Sequence, residues 1–129
     1  MSIKNIIDGS FDANAPIEIE KLEFSNMVVS LVFNKVGNLC TLQFKNYSFI
    51  MFMPTISYII VIYPSDDVNP FKPNDILIRD FYLTVGGEPR WCKFTWDVIP
   101  NTITVNVGPI DGGQTLSISN SEYIVYNVN

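Results

Sequence analysis

The stretch IRDFYLTVGGEPRWCKFTWDV, Ile78 to Val98, reads as two alternating strands around a glycine-rich turn, and its reading decides the fold. Before the glycines, Arg79, Phe81 and Leu83 share one face, and Asp80, Tyr82 and Thr84 share the other. After them, Cys92, Phe94, Trp96 and Val98 fall on one face, and Trp91, Lys93, Thr95 and Asp97 on the opposite one. A period of two marks a half-buried strand, because successive side chains leave opposite sides of a pleated backbone. A turn centred on Gly87-Glu88 pairs Leu83 with Cys92, Phe81 with Phe94 and Arg79 with Trp96. Thr84 then meets Trp91, Tyr82 meets Lys93 and Asp80 meets Thr95. Gly86 and Gly87 supply the positive φ that tight loops use, and Pro89 suits the loop better than a ladder. On this reading Cys92, Phe94 and Trp96 enter the core, while Tyr82, Trp91 and Lys93 face outward.

The same grammar runs along the chain. Around NKVGN, a turn centred between Val36 and Gly37 pairs Phe33 with Cys40, Leu31 with Leu42 and Val29 with Phe44, giving one wholly apolar face. Short runs rich in Val, Ile, Phe, Tyr and Thr, punctuated by Gly, Pro, Asn and Asp, predict strands at 17–24, 27–33, 39–45, 47–53, 57–63, 76–85, 90–98, 102–107, 114–119 and 122–128. No window offers an amphipathic helix with caps. Many short strands at this spacing predict an all-β protein, an antiparallel β-sandwich or jelly-roll-like barrel of eight to ten strands. YPSDDVNPFKPND (Tyr63 to Asp75) reads as one long connection and GPIDGG (Gly108 to Gly113) as a tighter loop. Residues 1–15 lack alternation and read as an arm or linker remnant, with a single domain over 16–129.

Composition narrows the function. The 129 residues are 47% hydrophobic and only 16% charged, against a usual charged share near a quarter, so the apolar surplus points to burial against another chain. No apolar run reaches the roughly 18 residues of a membrane-spanning helix. Net charge is −5 without a basic cluster, which argues against a nucleic-acid partner, since such binding begins with phosphate neutralisation. MSIKNIIDGS lacks the apolar stretch of a secretory signal, so synthesis in a cytosol is expected.

Catalytic chemistry finds little to stand on. The chain has no histidine, which excludes Ser-His-Asp and Cys-His sites and His-ligated metals. Cys40 and Cys92 have no metal-ligand spacing and read as buried apolar residues, with a disulfide between them left open. Carboxylates are scattered: Glu18, Glu20 and Glu23 on an early strand, Asp66, Asp67 and Asp75 in the long connection, Asp80 and Asp97 in the hairpin. None forms a glycosidase pair or a calcium loop by spacing. The expectation is no catalytic residue, no cofactor and no metal. The outward trio Tyr82, Trp91 and Lys93 is the candidate site, with three readings open: a subunit interface, plain cross-strand pairing, or a stacking platform for a sugar or base.

Several phrases resemble the small trimeric β-sandwich heads of viral and bacteriophage receptor-binding fibres. They are KVGNLCTLQF (Lys35 to Phe44), FKP (Phe71 to Pro73), ILIRDFYLTV, KFTWDVI and GGQTLSISNSEYIVYN (Gly112 to Asn127). The resemblance implies a non-enzymatic attachment protein: a homotrimer that binds a host-surface receptor, possible forms of which include a glycan, and that resides on a virion. The alternative is a β-module binding carbohydrate or nucleic acid through its outward aromatics.

Overall fold

The computed structural model describes residues 20–25, 29–119 and 121–128; the expected arm at 1–15 lies outside them. Among the described residues, ten strands occupy the ten expected positions: β1 (Glu20–Ser25), β2 (Ser30–Val36), β3 (Leu39–Phe44), β4 (Tyr47–Ile50), β5 (Thr55–Ile62), β6 (Leu77–Val85), β7 (Glu88–Asp97), β8 (Thr102–Ile110), β9 (Thr115–Ile118) and β10 (Ile124–Asn127). They form two antiparallel sheets, one ordered β1-β2-β3-β10 and the other β4-β9-β6-β7-β8-β5. The sheets stack face to face as a sandwich, because each buries one set of alternating side chains and neither can do so alone.

The faces are as the alternation requires. Leu31, Phe33, Cys40, Leu42 and Phe44 of one sheet are buried against Leu83, Cys92, Phe94, Trp96 and Val105 of the other. Aromatic rings carry much of the contact. Phe44 lies 4.8 Å from Phe81 and 6.1 Å from Phe94, and Trp96 lies 5.8 Å from Phe33 and 6.0 Å from Tyr126. No disulfide joins Cys40 and Cys92; both are buried thiols within this core.

The registers of both hairpins differ from expectation by two residues, and backbone chemistry explains each. In the first, Phe33 pairs with Leu42, Leu31 with Phe44 and Lys35 with Cys40, so the turn is Gly37-Asn38. Gly37 takes φ +60°, the first central position of a type II′ turn. A centre one residue earlier would force β-branched Val36 into that left-handed position. In the second, Tyr82 pairs with Trp91, Asp80 with Lys93 and Phe81 with Cys92, around Gly86 and Gly87 at φ +61° and +79°. The expected register needs an N–H from Pro89, beside the loop, to bond Gly86. Proline has none. The observed register gives that place to Glu88 and turns the Pro89 nitrogen toward β8, whose ladder with β7 ends at Lys93. Arg90 continues the junction by side chain, donating to the carbonyl of Val107 at 3.2 Å and to that of Pro109.

The connections tighten accordingly. The expected coil after Tyr63 contains a 3-10 turn, Asp66–Phe71, whose Val68 and Phe71 are buried and cap one end of the core. Tyr126 donates its hydroxyl proton to the Phe71 carbonyl at 2.7 Å. Strand β8 extends to Ile110, shortening the expected 108–113 loop. The six-stranded sheet curls, since rings from its opposite edge strands, Phe49 of β4 and Tyr58 of β5, stack at 6.0 Å. Register breaks around Tyr58 bend β5 into that curl.

Candidate functional site

The curl leaves one flank of the sandwich open, and the cause is local. Strand β9 accompanies β6 only at Thr84↔Ser117 and Val85↔Leu116, and then leaves the sheet. What draws it off is Ser121. Its amide donates to the Phe44 carbonyl at 3.0 Å, its Oγ accepts the Phe44 amide at 2.8 Å, and that Oγ donates to the Glu122 carbonyl at 3.1 Å. Gln43 Nε2 adds a bond to the Ser121 carbonyl at 3.0 Å. Pinned to the end of β3, the chain enters the other sheet, where Ile124 pairs with Leu42.

Between the departing chain and β6 lies a groove of about 580 Å³, within the usual size range of ligand sites. One wall is the run Arg79 to Thr84; the other is formed by Ser117 to Ser119 and Ser121 to Val125; Trp91 stands at the rim. Trp91 is 66% exposed and meets Tyr82 edge-on, with ring centroids 5.4 Å apart and planes at 67°. Tyr123 exposes a third ring from the far wall. Ser117, Ser119 and Glu122 add hydroxyls and a carboxylate. Apolar faces with a few polar groups are what a noncovalent binding site needs.

Two of the three expected site residues, Tyr82 and Trp91, therefore come together in the groove. Lys93 does not line it; its Nζ bonds the Asp80 carboxylate at 2.8 Å, and Asp80 does line it. This exposed pair holds Asp80 in place more than it adds stability. Arg79, expected on the core face, is exposed and donates to the carbonyls of Ile78 at 2.9 Å and Val125 at 3.4 Å, linking β6 to β10. With Arg79, Arg90 and Lys93 all engaged within the chain, no cluster of open cations accompanies the aromatics.

Reactive groups are muted. Burial pushes the Cys92 thiol above its usual range, with nearby Arg90 opposing only in part, so it stays protonated near neutrality. Burial raises the phenols of Tyr126 and Tyr47 in the same way, reinforced by Cys40 and Tyr58 respectively. Asp80 sits beside Lys93, four residues along β7 from Asp97. That places the two roughly 13 Å apart at the strand rise, beyond the spacing of a glycosidase pair. Among the described residues, no three of His, Cys, Asp and Glu gather as a metal site, and no helix is long and apolar enough to cross a membrane.

Sequence reasoning missed the second wall, Ser119, Ser121, Glu122 and Tyr123. Their one sequence signal is the polar run SNSEY between two alternating segments.

Fold and site together define an antiparallel β-sandwich with an aromatic-rimmed groove where one strand leaves its sheet. No known protein family and no curated protein matches the chain. It is similar to a solved structure of avian reovirus sigmaC, at 11% identity, over 86% of this chain and 63% of that structure, with a TM-score of 0.48. The chain thus spans less than two thirds of that structure's length.

Proposed function

We propose that this protein is a non-enzymatic attachment module of a virus or bacteriophage, working as a homotrimer on the virion, whose groove receives a host-surface receptor. The observation that carries the receptor site is the groove itself, with Trp91, Tyr82 and Tyr123 presenting rings around a largely apolar interior that holds a few polar groups. The viral assignment draws on the resemblance of the 35–44, 71–73 and 112–127 phrases to fibre heads.

Support for self-association comes from a separate surface. In and beside the β4–β5 connection, Phe52, Met53 and Ile56 are 85%, 76% and 93% exposed, with Ile59 and Val61 following on edge strand β5. Exposed apolar residues in such a run are costly for an isolated chain and suit a subunit contact. On this reading Tyr82 and Trp91 serve the ligand rather than a subunit contact, while Lys93 holds Asp80 at the groove wall.

Labelled protein applied to cultured cells and a glycan array tests the receptor site. Trp91→Ala is expected to cut binding by about tenfold or more, as for an aromatic hot spot, with an unchanged melt. Equal binding by the variant refutes it. Light scattering tests assembly: a trimer is expected, and Ile56→Lys should yield monomers. A wild-type chain that stays monomeric at micromolar concentration refutes the trimer. The nucleic-acid reading predicts salt-sensitive binding of single-stranded DNA.

A further inference from the structure

We propose that the groove takes its ligand as an extended polypeptide strand, paired along the open edge of β6 from Ile78 to Tyr82. This rests on the reading of the groove as the receptor site and names the chemical class that fits it.

The argument begins at the Gly86-Gly87 turn. In a two-residue hairpin the flanking pair, here Val85 and Glu88, exchanges backbone hydrogen bonds. Alternation then makes Leu83–Arg90, Phe81–Cys92 and Arg79–Phe94 the bonded pairs with β7. The backbone groups of Ile78, Asp80, Tyr82 and Thr84 must point the other way, toward β9. Thr84 finds Ser117 there, and the Gly86 amide donates to the Thr115 carbonyl at 2.9 Å. One step further, β9 has gone. The amides and carbonyls of Asp80 and Tyr82 face the groove, and the Ile78 amide continues the row just beyond its end, with no ladder partner among the described residues. The Ile78 carbonyl is taken by Arg79.

Such a row specifies its partner. Donors and acceptors recur every second residue, a repeat that an extended peptide reproduces along its length. The open edge runs for roughly 17 Å, the length of a five-residue strand. Proteins usually blunt an exposed edge with proline or lysine, or a bulge. Ile78 to Thr84 holds neither residue and its register is unbroken; its two charges, Arg79 and Asp80, are drawn to the Val125 carbonyl and to Lys93. The walls offer what alternate side chains of an added strand need. Tyr82 and Trp91 receive one set, and Glu122 on the crossover favours a basic group among the rest.

The test pans a random dodecapeptide display library on the full chain and resynthesises the enriched peptide with N-methyl groups on alternate residues. Methylation at one parity should weaken binding by roughly tenfold or more, and at the other by less than about threefold, since only one parity donates to β6. On the protein side, Asp80→Pro removes a groove-facing amide without touching the β7 ladder, whereas Asp80→Ala keeps that amide. Binding should fall by roughly tenfold in the first relative to the second. Should Asp80→Pro not fold, the methylated peptides decide alone. No enriched peptide, tolerance of methylation at both parities, or equal binding by folded Asp80→Pro and Asp80→Ala overturns strand addition. Cell or glycan binding that depends on Trp91, without any enriched peptide, also overturns it while leaving the receptor groove standing.

Discussion

Replacing Ser121 by alanine probes the device that opens the groove. Ser121 is buried, and its hydroxyl accepts the amide of fully buried Phe44 at 2.8 Å while donating to the Glu122 carbonyl at 3.1 Å. Alanine fits the space, so the loss is confined to hydrogen bonding. The Phe44 amide is left without a partner, away from water. A buried orphan donor costs about 1–3 kcal/mol, so the expected destabilisation is about 2 kcal/mol. For a domain of this size that corresponds to a melting point lower by roughly 8 °C. With a urea slope of about 2 kcal/mol per molar, the midpoint moves by about 1 M. Urea titration followed by fluorescence of buried Trp96 measures the shift. Native-state hydrogen exchange supplies the local readout, in which the Phe44 amide should exchange about thirtyfold faster. A midpoint within about 0.25 M of wild type, with Phe44 protection unchanged, would refute the claim that this hydroxyl holds the crossover away from β6.

Three further outcomes follow from the core and turns. Phe44→Ala empties the space between Phe81 and Phe94 and should cost about 3–5 kcal/mol, seen as a near-loss of cooperative unfolding in calorimetry. Gly86→Ala places a side chain at φ +61° with its Cβ 2.8 Å from Gln114 Nε2; that amide can swing aside, so a loss of about 1–2 kcal/mol in urea is expected from backbone strain. Alkali should destabilise the fold through Tyr126. Burial raises its phenol in the native state, with Cys40 adding to the shift, so the unfolded chain loses its proton first. Stability is then complete below about pH 10 and falls as pH rises beyond it. Tyr126→Phe should lose about 1 kcal/mol at neutral pH, with the bond to Phe71, yet flatten the alkaline decline in urea midpoints.

Face assignments proved more legible than partners. Alternation placed Leu31, Phe33, Cys40, Leu42, Phe44, Cys92, Phe94 and Trp96 in the core correctly, because the pleat leaves only two directions; Val32, expected on the outward face, is buried as well. A register error of two residues preserves those faces, so the apolar pattern could not detect it. Stereochemistry could have done so: Val36 resists a left-handed φ, and Pro89 has no proton for the bond beside the turn. Applied to the hairpins, those two facts select the observed pairings from sequence alone, and with them the contacts Tyr82–Trp91 and Asp80–Lys93.

The amino-acid sequence by itself determined the all-β class, the strand positions, most of the buried and outward faces and the poverty of catalytic groups. Each of these depends on neighbours along the chain. The groove depended on tertiary structure, because its walls are about forty residues apart and the second passes from β9, beside β6, into β10 of the other sheet. Only the folded chain brings the SNSEY run to β6, and only the bonds between Ser121 and Phe44 decide that β9 leaves early. The open edge of β6 is a consequence of that departure. No local pattern in Ile78 to Thr84 records it, since the missing partner is defined by where another strand stops.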